Sequence, residues 1–215
     1  MRRLTILLVV VVGLLNKAYT QDDDLRLRMG IELEKEVIED LTLEILPEIR
    51  LEHKNQLKES LLESTLTYKM HKYLDVAGGY RLSIEEGEDK TFHRYALDFL
   101  PNYKWHSFKV KYRLRYTNYV DREVADSEGS HSWRHRLKLD YKIPKLGITT
   151  FVSWEHLRPD GDRKKNRYMG GLKVKLNPYS DVVLYYFQQH KQSKSNYQEI
   201  LGLTFKIELQ GKDKS

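Results

Sequence analysis

No cysteine occurs in the 215 residues. That excludes a disulfide framework, thiolate metal ligands, a cysteine nucleophile and a lipidated N-terminal cysteine. The chain also has no apolar run long enough to cross a bilayer as a helix. Charged residues make up 32% and the mean hydropathy is −0.65, which excludes a helical membrane protein. The same averages leave a membrane barrel open, because its strands alternate polar and apolar residues. No catalytic motif stands out either.

What is present begins with a leader pattern. Arg2 and Arg3 precede the apolar run Leu4 to Leu15, and small residues follow at Ala18 and Thr20. This reads as a secretory signal peptide over residues 1–20, cleaved before Gln21, leaving a single domain over residues 21–215. As an uncleaved anchor, twelve apolar residues would span only ~18 Å, short of the ~30 Å hydrocarbon core. Cleavage removes three basic residues and leaves 34 basic against 31 acidic, a net charge of +3. Export argues against nucleic acid as a partner despite the basic pI.

Beyond Asp24 almost everything repeats with period two. Leu27, Met29, Ile31 and Leu33 alternate with Arg28, Gly30, Glu32 and Glu34. Phe108, Val110, Tyr112 and Leu114 alternate with Lys109, Lys111, Arg113 and Arg115. This is the pattern of strands with one apolar and one polar face. The expected strands are 26–37, 41–52, 61–69, 74–84, 91–100, 104–120, 132–143, 148–157, 166–176, 181–190 and 198–209. Only Leu57–Leu66 has a weak helical character.

The connections alternate between tight and long. Tight ones are expected near 37–40, 70–73, 101–103, 144–147 and 177–180. Long polar ones are expected at 53–60, 85–90, 121–131, 158–165 and 191–197. Outer-membrane barrels show this alternation, and closure pairs every strand edge. The expected fold is therefore all-β: a closed antiparallel up-and-down transmembrane barrel. Even strand counts in bacterial barrels favour ten strands, with 26–37 outside the wall, or twelve as the alternative.

Two classes of residue are placed by the alternation. Aromatics near strand ends are expected at membrane interfaces: Tyr103, Trp105, Tyr119, Trp133, Tyr141, Trp154, Tyr168 and Tyr179. Charges are expected inside, and unevenly distributed. Residues 21–100 carry 11 basic and 19 acidic residues, whereas residues 101–215 carry 23 and 12. An acidic wall with Glu44 and Glu48 should face a basic wall with Lys109, Lys111, Arg113, Arg115, Arg134, Arg136, Lys138, Lys173 and Lys175. Such charges are tolerable in a water-poor lumen when paired. They would then fill a small barrel; left unpaired, they would line an anion path.

Lys-Tyr-Leu-Asp-Val-Ala-Gly-Gly-Tyr-Arg (72–81), His-Arg-Leu-Lys-Leu-Asp-Tyr-Lys-Ile-Pro-Lys (135–145) and Arg-Tyr-Met-Gly-Gly-Leu-Lys-Val-Lys (167–175) carry a resemblance. Together with the leader they resemble an uncharacterised outer-membrane β-barrel family, carrying a domain of unknown function, common in Bacteroidota. The resemblance implies a Gram-negative cell outer membrane location, outer-membrane lipids as surroundings, and no established activity. It also implies recognition of the last strand by the barrel-assembly machinery. Gly202, Phe205 and Ile207 fit that signal, whereas Ile200 stands where a polar residue is usual.

Chemistry is sparse. Of the eight histidines, His93, His106, His135, His156 and His190 have no zinc-like spacing, so no metal and no cofactor is expected. Ser153, Glu155 and His156 are close in sequence, but the first two share one strand face and His156 takes the other, so no triad forms. Gly78-Gly79 and Gly170-Gly171 fall inside strands and suggest bulges or bends. The expectation is thus a non-enzymatic structural or interaction protein of the envelope with a charge-filled lumen. The alternatives are a narrow, porin-like, anion-preferring pore or transporter, a membrane-embedded lipid-modifying enzyme, and a soluble periplasmic β protein. Oligomeric state is not legible.

Overall fold

The computed structural model describes residues 25–52, 56–87, 90–120, 131–159, 164–191 and 197–209. The leader expected over 1–20 and most of the connection expected at 121–131 lie outside the described residues. Eleven strands follow one another: β1 Leu25–Ile38, β2 Leu41–Glu52, β3 Gln56–His71, β4 Leu74–Glu85, β5 Lys90–Trp105, β6 Phe108–Val120, β7 His131–Ile143, β8 Ile148–Pro159, β9 Lys165–Asn177, β10 Ser180–Lys191 and β11 Tyr197–Leu209. They form one closed barrel. No helix is present among the described residues.

Each consecutive pair is antiparallel, and closure is made by β1 against β11 in parallel register, from Leu25 beside Glu199 to Lys35 beside Leu209. The expected strand segments are all present, and their number, eleven, falls between ten and twelve. The expectation that 26–37 lies outside the wall is corrected, because β1 is paired on both sides. The reason is geometric. With an odd number of strands the first and last run the same way, and a parallel ladder satisfies both edges without a twelfth strand.

One end of the barrel carries turns of two to four residues (39–40, 72–73, 106–107, 144–147 and 178–179) and the other carries connections of three to ten. Left-handed backbone at Asp40, His106, Lys145 and Gly147 shapes three of the tight turns. The turn expected at 101–103 instead falls at 106–107, and β5 runs through Pro101. The first long connection shrinks because β3 starts at Gln56, so the weak helical pattern over Leu57–Leu66 is overridden by pairing to β2 and β4.

The faces divide as the alternation requires. Leu97, Val152, Leu137 and Ile31 point outward and are exposed, whereas Arg94, Asp98, Arg115 and Glu155 point inward and are buried. Aromatics ring both ends of the outer face. Near the tight turns Tyr73 meets Tyr103 (5.7 Å) and Phe108 meets Tyr141 (4.8 Å). Near the other end Tyr116 meets Trp133 (5.1 Å), and His190 meets Tyr168 (5.9 Å) and Tyr197 (5.5 Å). Trp105, Trp154 and Tyr179 are also exposed. Tyr119 is a correction. It shares the inward parity of Arg115 and Thr117, and its hydroxyl accepts from Arg134 inside the lumen (3.1 Å).

The glycine pairs are not bulges. Register runs unbroken through Gly78-Gly79 and Gly170-Gly171. Tyr185 lies in register between Gly171 and Gly202, and a Cβ on Gly202 would sit 2.0 Å from the Tyr185 ring. These glycines leave room on the inner face for a large aromatic side chain.

Candidate functional site: the charged lumen

Several inner-face charges meet their own kind across neighbouring strands. Arg28 pairs in register with Arg50, Glu34 with Glu44, Arg81 with Arg94, Lys111 with Lys138, Arg113 with Arg136, and Arg115 with Arg134. Like charges directly opposite one another destabilise a sheet. The compensation comes from carboxylates on other strands.

Two carboxylates organise the middle of the lumen. Glu63 on β3 takes Arg81 of β4, Arg94 of β5 (3.1 Å) and Arg115 of β6 (3.2 Å). Arg115 also forms a fork onto Asp98, with both contacts at 2.6 Å. Glu155 on β8 takes Arg113 of β6 (2.7 Å) and Arg167 of β9 (3.0 Å). The Arg115–Glu63 bridge passes over two intervening strands, which only side chains inside the cylinder can do. Buried and charge-assisted, these forks are the strong form of the contact.

The remaining sequence-expected residues distribute around this plug. Glu48 is buried against Arg50 (2.7 Å). Nearer the tight turns, Asp140 holds Lys138 (2.9 Å) and Lys111 (3.7 Å), and Asp181 holds Lys173 (3.3 Å). Lys138 also lies 4.1 Å over the Phe151 ring. Lys109 is half-buried and Lys175 exposed at that end. Glu44 sits with Glu32 and Glu34, their carboxylates close enough to hold a metal ion, but the Lys206 ammonium already pairs with Glu32 and Glu34. Arg136 touches the Met169 sulfur (3.7 Å). Arg136 lies in register beside Glu155, but among the described residues neither Arg134 nor Arg136 forms an ion pair. Sequence reading did not single out Arg81, Arg94, Asp98 or Arg167 for the lumen; their inward parity was the available signal.

Toward the long-connection end the plug forms the floor of a cavity of about 280 Å³. Seven arginines and two lysines line it, against three glutamates, with Phe92, Tyr119 and Ile200 among the other lining residues.

Ser153 and Glu155 point inward while His156 bonds Asn166 (2.9 Å) on the outer face, so the three do not converge. The outer-face histidines are individually partnered. Tyr80, Tyr112 and Tyr116 hydroxyls lie 2.7, 2.6 and 2.8 Å from Nδ1 of His93, His135 and His131. His135 and His156 do come together, in register across β7 and β8.

Residues 29–199 match the family described as "Protein of unknown function (DUF2490)". No curated protein matches the sequence. The solved structures that resemble it at low identity include the following two. The anion-selective porin from Comamonas acidovorans shares 10% identity with a TM-score of 0.38, over 75% of this chain and 55% of that one. The siderophore receptor PirA from Pseudomonas aeruginosa shares 13% with a TM-score of 0.34, over 76% of this chain and 35% of that one. The chain thus spans about half of the porin's length and about a third of the receptor's.

Proposed function

The chain belongs to the DUF2490 family, and from that premise we propose that it is an outer-membrane barrel sealed by its own ionic side chains. On this reading it serves the envelope as a structural or interaction protein, presenting its longer connections outward. The carrying observation is the Glu63 cluster, where guanidiniums from β4, β5 and β6 converge on one carboxylate. An exposed apolar outer face between aromatic rings supports placement in lipid, because such a surface in water marks an interaction or aggregation site. Export by a cleaved leader, outer-membrane lipids as surroundings and assembly through β11 belong to the same proposal. The test is conductance of the purified chain in planar bilayers. No discrete openings are expected; stepwise openings would overturn the seal.

A second reading, a narrow anion-preferring pore, is favoured by the stacked cations of β6 and β7 (Lys111–Lys138, Arg113–Arg136 and Arg115–Arg134). Under it, openings would show an anion-directed reversal potential, weakened in Arg136→Gln.

A further inference from the structure

We infer that the cavity above the plug is a binding site for a compact, multiply charged phosphate compound drawn from the aqueous side. Three of the arginines around it, Arg28, Arg94 and Arg134, are incompletely matched by carboxylates among the described residues. Arg28, on β1, has the Phe187 ring 5.0 Å away and no ion pair among the described residues. Arg134, on β7, donates to the Tyr119 hydroxyl (3.1 Å) and forms no ion pair among the described residues, and its Nε is buried without a hydrogen-bond partner. Arg94, 4% exposed, gives one nitrogen to Glu63, while its Nε is buried and unpartnered. All three line the same cavity.

Leaving guanidinium nitrogens such as Nε of Arg94 and of Arg134 buried without an acceptor is costly. A bound anion offsets that cost and satisfies the open donors. The chemistry of the anion follows from the geometry. β1 and β7 lie on opposite sides of the closed ring, so Arg28 and Arg134 approach from opposite walls, with Arg94 on a third strand. A planar carboxylate offers acceptors along one edge. A tetrahedral phosphate offers them in every direction, and guanidinium forks suit it. The size is that of a small solute, just below the ~300 Å³ at which ordinary ligand pockets begin. The surrounding sheet separates the cavity from acyl chains, so the source is soluble.

The inference rests on the sealed-lumen reading only in that the plug forms the floor. The test is isothermal titration of the detergent-solubilised full chain with inorganic pyrophosphate, and with citrate as a carboxylate of similar charge. Saturable pyrophosphate binding is expected, at least tenfold tighter than citrate and weakened at least tenfold in Arg28→Gln/Arg134→Gln. Lys145→Gln, in a tight turn at the far end, should bind as the parent does. Heat-modifiable gel mobility of every variant establishes folding. Arg134→Gln alone also removes a half-buried charge that has no ion pair among the described residues. It should therefore unfold no more readily than the parent without anion, yet gain less stability from pyrophosphate. Absence of binding, equal affinity for citrate, or unchanged affinity in the folded double variant would each overturn the inference. A conducting barrel that still binds pyrophosphate would overturn the sealed-lumen reading and leave this one standing.

Discussion

The two ends of the lumen use charge differently. Toward the tight turns the cations are mostly lysines, bridged within a strand or to the next one: Lys138 to Asp140, Lys111 to Asp140, Lys173 to Asp181, and Lys206 to Glu32 and Glu34. From mid-height upward they are mostly arginines, and three of these reach past the adjacent strand: Arg94 and Arg115 to Glu63, and Arg113 to Glu155. The lysine ends of Lys111 and Lys173 are 45% and 43% exposed, whereas Arg94 and Arg115 are 4% and 8% exposed. A lysine is a point charge on a flexible stem; an arginine has five donors in a rigid fork and can hold several acceptors at once. The lower lumen therefore reinforces the ladder locally. The middle ties non-adjacent strands together and helps hold the cylinder closed.

The sharpest way to break this contrast is to neutralise one carboxylate at each level. Glu63→Gln leaves three guanidiniums around a neutral amide, and losing one partner of a buried ionic cluster costs about 3–5 kcal/mol. Glu44→Gln removes one of three crowded carboxylates served by a single ammonium, and should be neutral or slightly stabilising. Lys173→Gln, part of an exposed pair, should cost about 0–1 kcal/mol. Equilibrium urea unfolding in detergent reads all three. A Glu44→Gln loss as large as that of Glu63→Gln would erase the distinction between the two ends.

Much of this was legible from alternation. Segments such as 41–52 and 198–209 read as strands because period two leaves one apolar and one ionic face, and nothing else satisfies both. Two features depart from expectation where another signal competes with alternation. The even-number expectation displaced β1 from the wall, although its own alternation was as strict as that of β2. Tyr119 has the strand-end position of a membrane-surface aromatic, but it shares parity with Arg115 and points inward. Pro101 and Asn102 are turn formers and point to a tight turn there, whereas the left-handed residue that makes the turn is His106. The ionic partners were beyond reach. Glu63 meets arginines 18, 31 and 52 positions away, and such spacings depend on register accumulated over several strands. The cavity has the same origin.

A smaller effect separates inner from outer face at two sequence-identical glycine pairs. On Gly171 a Cβ would lie 2.5 Å from the Leu184 carbonyl oxygen and from the Phe151 ring. Backbone cannot yield as a side-chain tip can, so Gly171→Ala should cost about 1–3 kcal/mol, the usual range for overpacking. On the outer face Tyr112→Phe deletes the 2.6 Å contact to His135 and should cost about 0.5–1.5 kcal/mol, read by the same unfolding curves.

Gly78 is the opposite case and carries the smallest change. It faces outward between Leu66 and Leu97, and a Cβ there meets nothing within 4 Å. Its backbone is not left-handed, so alanine fits without strain. Alanine also narrows the conformations of the unfolded chain, worth about 0.4–1 kcal/mol where the native backbone allows it. Gly78→Ala should therefore raise the urea midpoint with an unchanged slope. A loss instead would mean that the outer wall at β4 is packed as tightly as the inner wall at β9, and the separation of a filled interior from an open exterior would fail where it is easiest to measure.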